Sequence, residues 1–233
     1  MTQLLLISSS NVHGYGFLEQ PEGDIRRFLA GKRRVVFIPY ALKDRDAYTL
    51  TVGERLQRID PTLHVEQIRD RASIESADAL FVGGGNTFRL LETLYDLDLL
   101  EPIRDAVRNG LPYIGSSAGT VITAPTIRTT NDMPIVEPPS FDSLGLVSWQ
   151  FNCHYLDADP SATHKGETRE ERIQQFHEEN EQPVVGLREG TLLHVENGSA
   201  QLRGIANARI FRRGREAVEV APGSVIDEYV LER

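Results

Sequence analysis

Four-residue apolar runs separated by helix-length stretches constrain this chain more than any other feature. Leu4-Leu5-Leu6-Ile7, Val35-Val36-Phe37-Ile38 and Ala79-Leu80-Phe81-Val82 hold no polar residue. A strand with one wet face alternates apolar and polar residues, because successive side chains point to opposite faces. A run that is apolar throughout reads as a strand buried on both faces, the pattern of a mostly parallel sheet covered by helices. The intervening stretches supply those helices. Asp24 to Ala30, Asp44 to Ile59 and Thr87 to Arg108 have helical spacing, the last in one or two pieces, with Gly110 placed as a C-cap. His64 to Ile68 alternates and adds a strand. The expected class is α/β, with helices on both faces of the sheet.

The second half is less regular. Pro125 to Pro139 contains four prolines and few periodic apolar positions, and reads as a long loop. Phe151 to Tyr155 is a strand and Asp157 to Gly166 a polar loop. Thr168-Arg169-Glu170-Glu171 has the form of a capping box opening a helix to about Asn180, and Pro183 to Leu187 is a further strand. From Thr191 onward, short strands with turns at Asn197-Gly198 and Arg213-Gly214 read as a C-terminal antiparallel β extension of the sheet. There is no internal repeat, and the 233 residues are expected to form a single domain, 1–233.

A net charge of −9 argues against a nucleic-acid binder, although a pocket on an acidic protein can carry local positive charge. One cysteine, Cys153, excludes an internal disulfide and suits a reducing compartment. The apolar run at the N-terminus lacks a basic flank and is too short for a membrane span, so the expected location is the cytoplasm, with no membrane partner.

The strand Pro112-Tyr113-Ile114 runs into Gly115-Ser116-Ser117-Ala118-Gly119 and then a helical pattern, the G-x-S-x-G arrangement of a nucleophile elbow. The flanking glycines remove side chains that would clash in so tight a turn. A helix after it would point free N–H groups and its positive dipole end at Ser117. The competing reading is a strand–helix turn that simply needs small residues. Ser116 offers a second hydroxyl, but the geometry of an elbow favours Ser117.

A serine nucleophile needs a base within hydrogen-bond reach and an acid to orient that base. Among the histidines, His154 ends the apolar strand Phe151-Asn152-Cys153-His154, and carboxyl ends of parallel strands line the binding crevice of an open α/β sheet. His154 is the favoured base; the alternative is a satisfied structural histidine. His164 in the polar loop and His177 on a charged helix read as solvated. Two acids compete as orienting partner, Glu189 after the strand Val184 to Leu187 and Asp132 in Asn131-Asp132-Met133-Pro134, and each also reads as a turn residue. Gly83-Gly84-Gly85-Asn86-Thr87 lacks the spacing of nucleotide-binding loops. It either brings the Gly85 N–H to the elbow, where it forms an oxyanion hole with the Ala118 N–H, or is a tight turn without a ligand. Cys153 adjoins His154, but neighbouring strand residues point to opposite faces, so it reads as a buried apolar filler. Arg169, read from the residues alone, pairs with Glu170 or Glu171 on a solvated helix face.

Several of these segments, taken together, resemble the peptidase E (aspartyl dipeptidase) family. They are Gly83-Gly-Gly-Asn-Thr-Phe88, Gly115-x-Ser-Ala-Gly119, Thr130-Asn-Asp-Met-Pro-Ile-Val136, Asn152-x-His154, His164-Lys-Gly-Glu-Thr-Arg-Glu-x-Arg172 and Gly186-Leu-x-Glu-Gly190. The matches keep family order, and the His-Lys-Gly-Glu-Thr-Arg segment separates the chain from the related cyanophycinases, which share the elbow. Cys153 departs from the pattern, standing where proline is expected. The resemblance implies a flavodoxin-like fold akin to class I glutamine amidotransferases, with serine in place of their cysteine. It implies Ser117 as nucleophile, His154 as base and Glu189 as the orienting acid. Asp132 and Asn86 remain substrate-site candidates. Arg169 matches the position that reads the carboxylate of an N-terminal aspartate, for which a planar guanidinium is well suited. The implied activity is hydrolysis of Asp-X dipeptides without metal or cofactor, by a monomer or homodimer. The alternatives are an esterase or amidohydrolase on the same scaffold, or a non-catalytic binding module.

Overall fold

A computed structural model describes residues 2–231 except 160, 162, 164 and 165. Strands and helices alternate first: β1 (Gln3–Ile7), α1 (Glu22–Phe28), β2 (Arg34–Ile38), α2 (Arg45–Ile59), β3 (His64–Gln67), α3 (Arg71–Glu75), β4 (Ala79–Val82), α4 (Thr87–Asp96), α5 (Leu100–Arg108), β5 (Tyr113–Ser116) and α6 (Ala118–Val121). After a long loop come β6 (Gln150–Cys153), α7 (Arg169–Glu179), β7 (Val184–Leu187), β8 (Thr191–Glu196), β9 (Ser199–Gly204), β10 (Ala208–Phe211), β11 (Val218–Val220) and α8 (Asp227–Val230).

Seven strands form a large sheet in the order β3-β2-β4-β5-β1-β8-β9. The first five run parallel, and β8 and β9 join antiparallel at the β1 edge. The apolar runs of β1, β2, β4 and β5 are buried on both faces, which is why they carry no polar alternation, whereas the edge strand β3 is partly exposed and alternates. Leu4, Leu6, Val36, Ile38, Leu80 and Val82 pack with apolar residues of α4 and α5, whereas Leu5, Ile7, Val35, Phe37 and Phe81 pack under Ile25 of α1 and Val52, Leu56 and Ile59 of α2. The α/β class and the mostly parallel sheet agree with the sequence reading. The β8–β9 hairpin turns at Asn197-Gly198, both at positive φ (54° and 81°), as a two-residue Asn-Gly turn requires.

The downstream strands depart from expectation. Only β8 and β9 extend the large sheet. β6 and β7 pair parallel with each other, and β10 and β11 add antiparallel beside β7, giving a second sheet in the order β11-β10-β7-β6. The reason lies in β8, which pairs with β1 from Gln3↔Glu196 to Ile7↔Leu192 and closes that edge to β6 and β7. The two sheets still share a core, because one buried cluster runs from Leu4 and Val82 to Val185, Leu187 and Ile210. Helix α3 has no counterpart in the sequence reading; five residues are too few to show a period, and it is fixed by reciprocal capping between Asp70 and Ser73. Among the described residues, no helix is long and apolar enough to cross a membrane.

Candidate active site

The carboxyl ends of three neighbouring strands of the large sheet carry Gly83–Gly85 (after β4), Ser117 (after β5) and Ser8 (after β1), while β6 leads to His154 and β7 to Arg188 and Glu189. Ser117 has φ 51° and ψ −111°. A side chain in such a conformation costs about 1–3 kcal/mol, so the surroundings must impose it. They do so through the Ser117 N–H, which donates to Ile7 O (2.9 Å), and its carbonyl, which accepts from Thr120 N (2.8 Å) and Val121 N (2.9 Å). The turn also presses on β4: a Cβ on Gly119 would stand 2.1 Å from the Val82 oxygen, and one on Gly115 2.5 Å from the Gly119 oxygen. The helix behind Ser117 is shorter than expected. α6 is a single turn, so its macrodipole contributes little and only its free N–H groups face the site. Ser116 is 1% exposed and its hydroxyl has no partner among the described residues, so only Ser117 opens to the crevice.

His154 follows β6 and also has positive φ, 55°. Its Nε2 lies 2.8 Å from Ser117 Oγ and its Nδ1 2.9 Å from Glu189 Oε1. With the ring proton on Nδ1 donated to Glu189, the Nε2 lone pair is left to accept from the serine hydroxyl. The peptide bond entering His154 is clamped on both sides. Its N–H donates to Ser8 Oγ (3.1 Å), and the Cys153 carbonyl accepts from Asn131 Nδ2 (2.7 Å). Ser8 Oγ donates in turn to Leu187 O at 2.8 Å, so one buried hydroxyl joins the ends of β1, β6 and β7. No motif in the sequence marks Ser8. Glu189 is anchored through its neighbour Arg188, whose guanidinium binds Asp157 (2.6 and 2.8 Å) and Glu219 (2.8 and 2.9 Å) and lies 5.4 Å from the centre of the Tyr155 ring. Hydrogen bonding to Arg188 holds both carboxylates below their usual pKa.

Residues 4–203 match the model of Peptidase family S51. The chain belongs to that family. It is 53% identical over 229 residues to Peptidase E of Streptomyces coelicolor, covering 97% of this chain and 93% of that one. It is 48% identical to a Drosophila melanogaster protein named "Probable alpha-aspartyl dipeptidase", covering 94% of this chain and 93% of that one. A solved structure of a peptidase from an acI-B1 Actinobacterium superposes with a TM-score of 0.71 at 16% identity, covering 97% of this chain and 96% of that one; at that identity the likeness concerns the fold.

In this S51 peptidase Arg169 pairs with neither neighbouring glutamate. Glu171 is held in the capping box, with its N–H donating to Thr168 Oγ1 (3.1 Å) and its carboxylate accepting from Thr168 N (2.6 Å). Glu170 pairs with Arg209 at 3.1 Å. Arg169 Nη1 donates to Asn131 Oδ1 at 2.7 Å, and among the described residues no carboxylate lies within ion-pair range of its guanidinium. Burial, and secondly the charge of Arg172, push its pKa below the ordinary arginine value.

Asp132 and Asn86 both cap α4. Asp132 Oδ2 accepts from the Thr87 N–H (2.7 Å) and from the hydroxyls of Thr87 and Thr130 (2.5 and 3.2 Å). Asn86 Oδ1 accepts from the Arg89 N–H (3.0 Å), and its Nδ2 donates to Met133 O (2.9 Å), pinning the long loop to the helix. The histidine's Nδ1 therefore meets Glu189 while Asp132 serves the α4 terminus. Gly85 has φ 136°, a conformation that L side chains rarely adopt. The Gly84 N–H is taken by the Tyr48 hydroxyl (2.9 Å), whereas among the described residues the Gly85 and Ala118 N–H groups have no partner.

Cys153 is buried, and burial first and Asp132 second raise its thiol pKa. His177 corrects the sequence reading. It is 8% exposed, with Nε2 3.1 Å from Gln182 O, because its i, i+4 spacing from Ile173 places it on the buried side of α7. His164 and Lys165, within the segment that carried the family resemblance, lie outside the described residues.

Proposed function

We propose that this peptidase is a serine dipeptidase that hydrolyses Asp-X dipeptides through an acyl-enzyme. The relatives' names, peptidase E and alpha-aspartyl dipeptidase, support the substrate class. The observation that carries the mechanism is the continuous line from Ser117 Oγ through His154 to Glu189, beside an arginine that has no carboxylate partner among the described residues. Ser117 attacks the scissile carbonyl while His154 Nε2 takes its proton. The oxyanion forms against the Gly85 and Ala118 N–H groups, and losing one such donor typically costs about 100- to 1000-fold in rate. His154 then gives its proton to the leaving amine, and water repeats the sequence on the acyl-enzyme. Glu189 keeps the imidazole in the right tautomer and stabilises the imidazolium. Arg169 binds the side-chain carboxylate of the N-terminal aspartate; charged hydrogen bonds of this kind contribute about 1.5–3 kcal/mol. Asn86 and Asp132 hold the loop that carries Asn131. The whole chain acts as one catalytic unit, in the cytoplasm, without cofactor or metal, as a monomer or homodimer.

The test is hydrolysis of Asp-Leu against Glu-Leu, Asn-Leu and acetyl-Asp-Leu, with and without EDTA. Selective, EDTA-insensitive cleavage of Asp-Leu is the expected result, abolished by Ser117→Ala in a folded protein. Cleavage of none of the four removes the dipeptidase reading.

A further inference from the structure

We propose that Asn131 determines specificity by orienting Arg169 through a neutral oxygen, which leaves the guanidinium charge available to the substrate carboxylate. The proposal rests on the assignment of Arg169 made above. Chemistry fixes which way the Asn131 amide points. Its Oδ1 receives Arg169 Nη1, and an arginine only donates; its Nδ2 meets the Cys153 carbonyl, which only accepts. Asn152 faces it in a reciprocal amide pair, with Nδ2 3.0 Å from Asn131 Oδ1 and Oδ1 3.2 Å from Asn131 Nδ2. Asn152 is itself buried and donates to Thr129 O at 3.0 Å. Rotating the Asn131 amide would leave buried polar groups unpaired, so it is a rigid support. It touches the arginine on one side and the peptide entering His154 on the other.

Neutrality is what matters at this position. The two glutamates next to Arg169 in sequence are engaged elsewhere, by Arg209 and by Thr168. Among the described residues the remaining Arg169 N–H groups have no hydrogen-bond partner, which leaves donors for a carboxylate from outside. An aspartate in place of Asn131 would set a carboxylate oxygen where the amide oxygen stands. It would form the charged pair meant for the substrate, and would do so intramolecularly, at the high effective concentration of a tethered group. The Asn131→Asp change is nearly isosteric, but besides adding charge it puts an oxygen in place of the Nδ2 that donates to the Cys153 carbonyl (2.7 Å) and to Asn152 Oδ1 (3.2 Å), so it also loosens that clamp.

The experiment measures kcat and KM on Asp-Leu for the wild type, Arg169→Ala, Asn131→Asp and the double variant. Labelling of Ser117 by an uncharged fluorophosphonate reports the triad in parallel, since that probe has no carboxylate to be read. Asn131→Asp is expected to raise KM by about 10- to 200-fold, the range of a charged hydrogen bond, where Arg169 is present, whereas the labelling rate, which follows the lost clamp on the peptide entering His154, should fall equally with and without Arg169. In the Arg169→Ala background it should raise KM no further. If Asn131→Asp does not fold, Asn131→Ala takes its place, with an expected KM rise of about 2- to 12-fold for a lost ordinary hydrogen bond. An unchanged KM in the Asn131 variant, with Arg169→Ala impaired, overturns the proposal and leaves the Arg169 assignment standing. A KM rise of equal size in both backgrounds, parallel to the losses in kcat and labelling, marks a merely structural role and overturns it too. Unchanged Asp-Leu kinetics in Arg169→Ala remove the Arg169 assignment itself, and this proposal with it.

Discussion

Ser117 adopts φ 51° and ψ −111°, and that strain can be weighed by comparing two variants at this position. Ser117→Ala and Ser117→Gly both lose the hydroxyl and its contact with His154, so they differ only in the Cβ. The alanine keeps the strain of a side chain in this region, about 1–3 kcal/mol. The glycine escapes it but adds freedom to the unfolded chain, which costs about 0.4–1 kcal/mol. The difference favours glycine by about 1.3 kcal/mol at mid-range. A domain of this size shifts its melting point by about 2–4 °C per kcal/mol, so Ser117→Gly should melt about 3–5 °C above Ser117→Ala. Differential scanning calorimetry on the two proteins reads this directly, with urea midpoints as a check. A glycine variant that melts at or below the alanine variant would refute the argument, because it would mean that the elbow relaxes once the hydroxyl is gone.

Ser116→Ala should leave Asp-Leu turnover intact and keep or raise the melting point, since the Ser116 hydroxyl is buried without a partner among the described residues; lost turnover would move the nucleophile one residue back. Cys153 should resist iodoacetamide in the native enzyme at pH 8 and react on unfolding, because burial raises its pKa and leaves little thiolate; fast native alkylation would contradict the buried thiol. Arg188→Leu should lower the melting point at neutral pH and flatten its fall on acidification. Asp157 and Glu219 have folded pKa values below their unfolded ones, so their stabilisation is full above the unfolded values, about pH 4, and is lost as pH falls through the lowered ones. Melting curves from about pH 6 to about pH 3 with equal slopes in wild type and variant would count against the network.

What the sequence revealed and what it concealed divide along chain distance. The Thr168–Glu171 box, the Asn197-Gly198 turn and the Gly110 cap are written within a few residues, and each sits where the local pattern placed it. The elbow is local as well, although its helix stops after one turn because the chain leaves for the long loop. Ser8 is illegible for the opposite reason: its partner Leu187 is 179 positions away, and a lone serine after an apolar run has no pattern to betray it. The split into two sheets was hidden likewise, because each strand's own residues say that it is buried, not which edge it joins. His177 was misread because neighbouring charges outweighed the spacing that ties it to Ile173.

The two sheets bear on the geometry of the proposed triad as well as on topology. Ser117 and Gly85 belong to the large sheet, while His154 and Glu189 lie at the ends of strands in the small one. The Ser117–His154 hydrogen bond therefore spans the junction, and its length reports how the sheets register. Displacement of catalytic groups by about 1 Å can cost about 100-fold in rate, so the junction needs rigid ties. Two are described at the crevice. The Ser8 hydroxyl joins the β1 end to Leu187 and to the His154 N–H, and Asn131, on the loop pinned to α4, holds the carbonyl before His154. Both grip the same peptide bond, from opposite sides. Their convergence accounts for the positive φ of His154, since the backbone there follows the clamps that aim the ring rather than its own preference.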